Sequence, residues 1–383
     1  MVEALVLAGG LGRRLHPLTR RRPKAFIRLA GKMLYQYTLE MLDEVKHHLS
    51  RTILVVPRGT TGLIEQCPDW VSVAEQGGEG VEAALDTGLR GLGGDSEVIV
   101  SFTGYIAKPH SMIKLLLDYY STSEYPLVMV VTPVSSGLET FGFARIGVKS
   151  NIETVTSTPG PEWMRGRGYV FAGALIGEGS FIRILAREGF IEGLKKLASR
   201  NLVGALTWTG EWVELGYPWD LLEAVKIILS RRATIIDEDA VVSRHAIVTG
   251  PVVVEEDAVI GEGAIVKGPA YIGRGASIGE GSIVGPNTLI ESGASVDPLT
   301  VVRDSIVMEG AKVGAHSYIE RCIIGESSTI KPQVVAEPTT PQTRLPWIRE
   351  ALEKSQEEYR IGCVTGPGTV IGEHSIVRGE FIE

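Results

Sequence analysis

The chain has little that would staple it, hold a structural metal or carry it through a membrane. Its three cysteines, Cys67, Cys322 and Cys363, lie far apart in 383 residues and form no CxxC or Cys/His set. Neither a disulfide framework nor a zinc site is indicated, and a reducing, cytoplasmic setting is expected. No apolar run approaches the roughly 20 residues that span a bilayer as a helix, and the short first one, residues 4–7, runs too soon into arginines for a signal peptide. Excess positive charge is also missing. The formal net charge of -8 argues against nucleic acid as the main partner. What remains is a 44% hydrophobic chain with 46 glycines, long enough for two or three domains.

The first informative stretch is Ala8-Gly9-Gly10-Leu11-Gly12-Arg13-Arg14, placed directly after that apolar run, which reads as a buried first strand. Gly9, Gly10 and Gly12 can bring bare backbone N–H groups against a polyanion. Arg13, Arg14, Arg20, Arg21, Arg22, Lys24 and Arg28 crowd cationic side chains around them. In an acidic chain so local a basic cluster suggests a bound anion, and a triphosphate would fit. The glycines alone do not decide. Leu15 stands where a dinucleotide fingerprint has its third glycine, and no Gly-Lys-Ser/Thr ending marks a Walker loop. Residues 33–49 then read as a helix, and 52–56 and 98–102 as strands, the alternation of a parallel sheet flanked by helices.

The longer string Gly-Gly-x-Gly-x-Arg-Leu-x-Pro-Leu-Thr-x-x-x-Pro-Lys resembles the signature of the sugar-1-phosphate nucleotidylyltransferases, which join a nucleoside triphosphate to a sugar phosphate and release pyrophosphate. The resemblance implies a Rossmann-like α/β nucleotidyltransferase domain, a mostly parallel sheet with flanking helices, over residues 1–230. It implies a nucleotide against Ala8, Gly9, Gly10, Gly12 and Arg13, with Arg14 and Lys24 as the catalytic cations on its phosphates. Gln76 and Gly80 match the second loop, where a glutamine reads the base edge with its donor and acceptor together, although Val81 stands for the usual threonine. Phe141-Gly142 and Ala172-Gly173 match the sugar pocket, so Gly142 and Gly173 are the sugar-binding candidates.

The family's Mg²⁺ sits on two aspartates. Here Tyr105 follows Gly104 in place of the first and Glu214 replaces the second. Magnesium wants charged oxygens in tight octahedral geometry, and a phenol is neutral at pH 7. Glu214 keeps the charge, one methylene farther out. Ser157-Thr158-Pro159 also stands where a Glu-Lys-Pro would grip sugar and phosphate.

The second half beats in sixes. From Ile236 to Val302 every sixth residue is Ile or Val, and two residues before it falls a small or β-branched one, such as Ala258, Ala264, Ala270, Ala276 or Ser282. Such a period means short parallel strands stacked in coils. It resembles the left-handed parallel β-helix of hexapeptide acyltransferases, here over residues 231–383 with a loop-helix excursion at 337–360. The register slips at Val307 and Ile324, residues 346–360 read as a charged amphipathic helix, and the beat is expected to resume at Val364, Val370, Ile376 and Ile382. Among proteins that join these two domains, the chain most resembles the archaeal bifunctional nucleotidyltransferase/acetyltransferase. In that type a histidine base precedes a tyrosine by three residues. Here Ala315 holds that place, His316 sits beside it, and a one-residue shift takes a base out of reach.

Three functions are open on this reading. One is a weakly active or regulatory protein that binds a nucleoside triphosphate or nucleotide sugar, as a homo-oligomer or beside an active paralogue. Another is a working nucleotidylyltransferase using sugar-1-phosphate and Mg²⁺. The third is an acyltransferase acting through His316.

Overall fold

The structure is a computed structural model that describes residues 2–93, 96–133, 142–157, 168–230, 233–354 and 358–383, without the side chain of Lys354. It divides into two compact units. The first comprises Met1–Leu11, Pro23–Phe26 and Met33–Glu214, and the second Gly12–Arg22, Ile27–Lys32 and Leu215–Glu383.

The strand Val2–Leu7 lies at the middle of the first unit and is buried along its whole length, as an apolar run inside a parallel sheet must be. It pairs in parallel with Leu49–Val56 on one side and Glu97–Phe102 on the other. Tyr169–Glu178 then runs antiparallel beside Glu97–Phe102, so the nine-stranded sheet among the described residues is mixed, with a parallel centre. Alternate side chains of the first strand serve opposite faces. Ala4 and Val6 are buried with residues of α1 (Leu34–Asp43), such as Met41 and Leu42. Leu5 and Leu7 are buried with Leu85 of α2 (Val81–Arg90). Helix α3 (Met112–Thr122) lies on the first face, and α4 (Gly179–Glu188) and α5 (Phe190–Ala198) on the second. The helix expected over 33–49 ends at Asp43, and Lys46–His48 forms a 3-10 turn leading into the next strand.

The second unit is a left-handed parallel β-helix preceded by α6 (Pro218–Leu229). Its coils advance by eighteen residues, as Val253 opposite Tyr271 and Tyr271 opposite Leu289 show. The two slips in the beat are coils of seventeen: Leu289 faces Ile306, and Ile306 faces Ile323. The six-residue series points inward from Val254 to Val302, and the small residues before it, Ala258 to Ala294, are fully buried. Ser282 keeps its place because its hydroxyl donates to Asp297 O and accepts from Thr300 N.

The last coil corrects the expected register. Ile330 pairs with Ile371, so Ile371 and Val377 are the inward residues, whereas Val370 and Ile376 are 61% and 62% exposed. In a run of paired aliphatics such as Val370-Ile371 and Ile376-Val377 the beat alone does not say which one points in. The excursion leaves along the strand Val335–Gln342 and carries α7 (Pro346–Lys354), shorter than the helix expected over 346–360.

Candidate functional site

In the first unit the strand Val2–Leu7 ends where neighbouring strands secure the start of the Gly-rich loop: Ala8 N donates to Val55 O, and Thr103 N to Leu7 O. Gly9 therefore passes close under the second loop. Gln76 is buried beside it, its Nε2 donating to Gly9 O at 3.4 Å, and a Cβ on Gly9 would meet the amide oxygen. That Oε1 is buried with no hydrogen-bond partner among the described residues, which is costly unless something else supplies a donor. Gly80 starts α2 with φ of 95°, a conformation that suits glycine. Lys24 reaches the end of Glu97–Phe102, where its Nζ donates to Gly104 O at 3.3 Å. Gly10 faces open space, with no heavy atom within 4 Å of an added Cβ.

Tyr105 begins the next strand, directly opposite Glu214 in an antiparallel pair. The phenol is fully buried, its hydroxyl lies 2.9 Å from Ser101 Oγ, and burial pushes its pKa up, so it stays neutral. Its ring takes the room beside Gly173: a Cβ there, at φ of 94°, would fall 2.2 Å from Tyr105 Cδ1. Gly142 is filled in the same way from an apolar side, with Ile191 3.1 Å from an added Cβ. Phe141, Thr158 and Pro159 lie outside the described residues.

These residues do not fit the paired-carboxylate magnesium site that the resemblance implies. The first position offers a neutral phenol already hydrogen-bonded to Ser101. Among the described residues no three His, Cys, Asp or Glu side chains gather as a metal set.

The second unit contains the rest of the Gly-rich loop. Gly12, at φ of 72°, opens the 3-10 turn Arg13–Leu15, and its carbonyl accepts from Leu15 N and Thr19 Oγ1. Arg13 is exposed. Arg14 is half-buried, its guanidinium over the Tyr217 ring and 3.7 Å from where a Cβ on Gly216 would stand. Two of the cations expected to crowd the glycines are otherwise engaged: Arg22 pairs with Glu326 at 3.3 Å and Arg28 with Glu309 at 3.5 Å. Acidic side chains on successive coils draw them away, which a linear count of basic residues cannot foresee. His316 sits at an exposed corner of the solenoid with φ of 59°.

Sequence reasoning also missed Glu291 and an aromatic column. Glu291 is fully buried, accepts from Ala30 N at 2.6 Å and Gly31 N at 3.1 Å, and burial raises its pKa to about 7. It carried no distinct signal in the sequence, because Glu255, Asp297 and Glu320 also follow inward aliphatic residues, and a charge there is easily taken for a solvated turn. The column is Tyr217, Trp219 and Tyr359, and its clue was aromatic residues in a segment read only for Glu214.

Comparison with known proteins bears on the family and the fold. The family described as the MobA-like NTP transferase domain matches residues 4–214. The chain belongs to this family. Within the solenoid, residues 266–382 match the description GMPPB C-terminal domain. Among curated proteins the chain is similar to the bifunctional protein GlmU of Methanocaldococcus jannaschii, with 28% identity over 85% of this chain and 78% of that one. It is also similar to the protein of that name from Methanococcus maripaludis, with 26% identity over 60% of this chain. The latter match spans about half of the relative, 55% of its length. A crystal structure from Bacillus anthracis, described as a putative glucose-1-phosphate thymidylyltransferase in complex with a sucrose, shares the fold at 15% identity. Its TM-score is 0.52, over 62% of this chain and 98% of that one. Among the described residues no helix is long and apolar enough to cross a membrane.

Proposed function

We propose that the chain binds a nucleoside triphosphate or nucleotide sugar and acts as a weakly active or regulatory member of its family. Gly9, Gly10, Gly12 and Arg13 take the phosphate backbone, Arg14 and Lys24 supply positive charge to it, and Gln76 reads the base. The buried, unpartnered Oε1 of Gln76 supports the base-reading role, since a nucleobase N–H is a donor that would satisfy it. The observation that carries the loss of turnover is Tyr105: a buried neutral phenol, bonded to Ser101, whose ring takes the room beside Gly173. Displacement at a phosphorus needs charge neutralisation and alignment, and this position supplies neither. A subunit of this kind would serve beside an active paralogue, or in its own oligomer, by reporting nucleotide levels.

The retained Arg14 and Lys24 favour a second reading, an active nucleotidylyltransferase that makes a nucleotide sugar and diphosphate from sugar-1-phosphate. Titration with the four nucleoside triphosphates separates nucleotide binding from no binding. One of them should bind the wild type saturably and lose about tenfold or more in Gln76→Ala, as expected when one or two buried hydrogen bonds go. Failure of all four, and of the corresponding nucleotide sugars, to bind would end both readings.

A further inference from the structure

Arg14 is the residue on which the polyphosphate reading leans most, and it lies over the end of a column of aromatic rings. Its Cζ lies 5.3 Å from the centroid of the Tyr217 ring. Tyr217 stacks on Trp219 at 4.9 Å and 12°, and Trp219 stacks on Tyr359 at 4.6 Å and 20°. The column thus starts in the Gly-rich loop and ends in the chain beyond α7. A ring face is electronegative, so a guanidinium laid on the end of a buried stack is both attracted and oriented.

Both ends of this column are anchored. Asp220, itself buried, accepts from Gly216 N at 2.8 Å and Tyr217 N at 2.6 Å, which fixes the backbone under the first ring. Ile348 and Ala351 of α7 are buried in one cluster with Tyr217 and Trp219, and Tyr359 packs against it. A second contact runs in parallel, because His16 meets the edge of Trp347 at 6.2 Å. The excursion therefore reaches the Gly-rich loop twice. Only the start of the excursion, up to Gln342, pairs with the solenoid, on the strand Ile376–Ile382; beyond it Ile323 pairs directly with Val364, and α7 adds no strand to any stack.

An arginine side chain free in solution loses about 2 kcal/mol of rotamer freedom when a ligand fixes it. A column that orients it beforehand removes part of that cost. We propose that Tyr217, Trp219 and Tyr359 are positioning residues for Arg14, through which the α7 excursion sets how tightly the Gly-rich loop holds a polyphosphate. This rests on the reading of Arg14 as a phosphate contact.

The test uses the full chain labelled with ¹⁵N-arginine and inorganic tripolyphosphate as probe. The Arg14 Nε–H signal is assigned by its loss in Arg14→Lys. In Tyr359→Ala that signal should leave its ring-shifted position and tripolyphosphate affinity should fall about tenfold, the order of the side-chain ordering cost that the column removes. Tyr359→Phe, which keeps the ring, should retain both. In Arg14→Lys, adding Tyr359→Ala should cost little more. An unmoved Arg14 signal, or an affinity loss that persists in full on the Arg14→Lys background, would overturn the proposal. A signal that moves while Arg14→Lys binds tripolyphosphate like the wild type would keep the stack, remove its control of binding, and place the failure in the phosphate role of Arg14.

Discussion

At the scale of single residues, Tyr105 and Gly173 are one feature. The glycine lacks a side chain where the ring lies, and its φ of 94° disfavours any other residue. Gly173→Ala should therefore cost about 2 kcal/mol or more from overpacking and backbone strain together, read as a lower midpoint in urea. An unchanged midpoint would mean that the ring is not packed there. Glu291 makes a prediction of opposite character. Its pKa of about 7 in the folded protein exceeds the usual 4.5, because burial outweighs the two backbone donors and Arg28, while Glu255 adds repulsion. Between those values the folded state holds more protons than the unfolded one, so stability falls as pH rises from about 4.5 to 7 and stays lower above. Glu291→Gln should flatten that slope in thermal melts; a slope identical to the wild type would contradict the assignment.

At the scale of elements, the hexapeptide coils and the first strand were legible because each has a period and one buried face. A two-residue strand stacked on its neighbours needs an aliphatic residue inward at fixed spacing, and the series from Val254 to Val302 supplies it. The last coil was misread by one residue because both members of Val370-Ile371 and Ile376-Val377 satisfy the pattern. Which one faces the interior is set by pairing with Thr329 and Ile330 in the preceding coil. Ile371→Ala should cost about 2–4 kcal/mol, whereas Val370→Thr should stay within about 0.5 kcal/mol. A larger loss at Val370 than at Ile371 in denaturant melts would put the register back where the sequence suggested. The aromatic column was invisible for another reason. Its members come from residues 217–219 and 359, and no local period links them.

At the scale of the whole molecule, family membership was readable from the string between Gly9 and Lys24, because its residue types and spacing are far more specific than its glycines. The fate of the basic cluster was not readable. Arg22 and Arg28 turn to Glu326 and Glu309, and only folding of the solenoid brings those carboxylates to them. What the molecule does depends on whether the Gly-rich loop holds a polyphosphate, as proposed, and turns it over with a neutral Tyr105. The most direct test is to measure nucleoside triphosphate binding and pyrophosphate release on the same purified protein, with Mg²⁺ and a panel of hexose-1-phosphates. The account predicts saturable binding with release at least about a hundredfold below the usual range of about 1–10³ per second, rising in Tyr105→Asp. Release by the wild type within that ordinary range would contradict it.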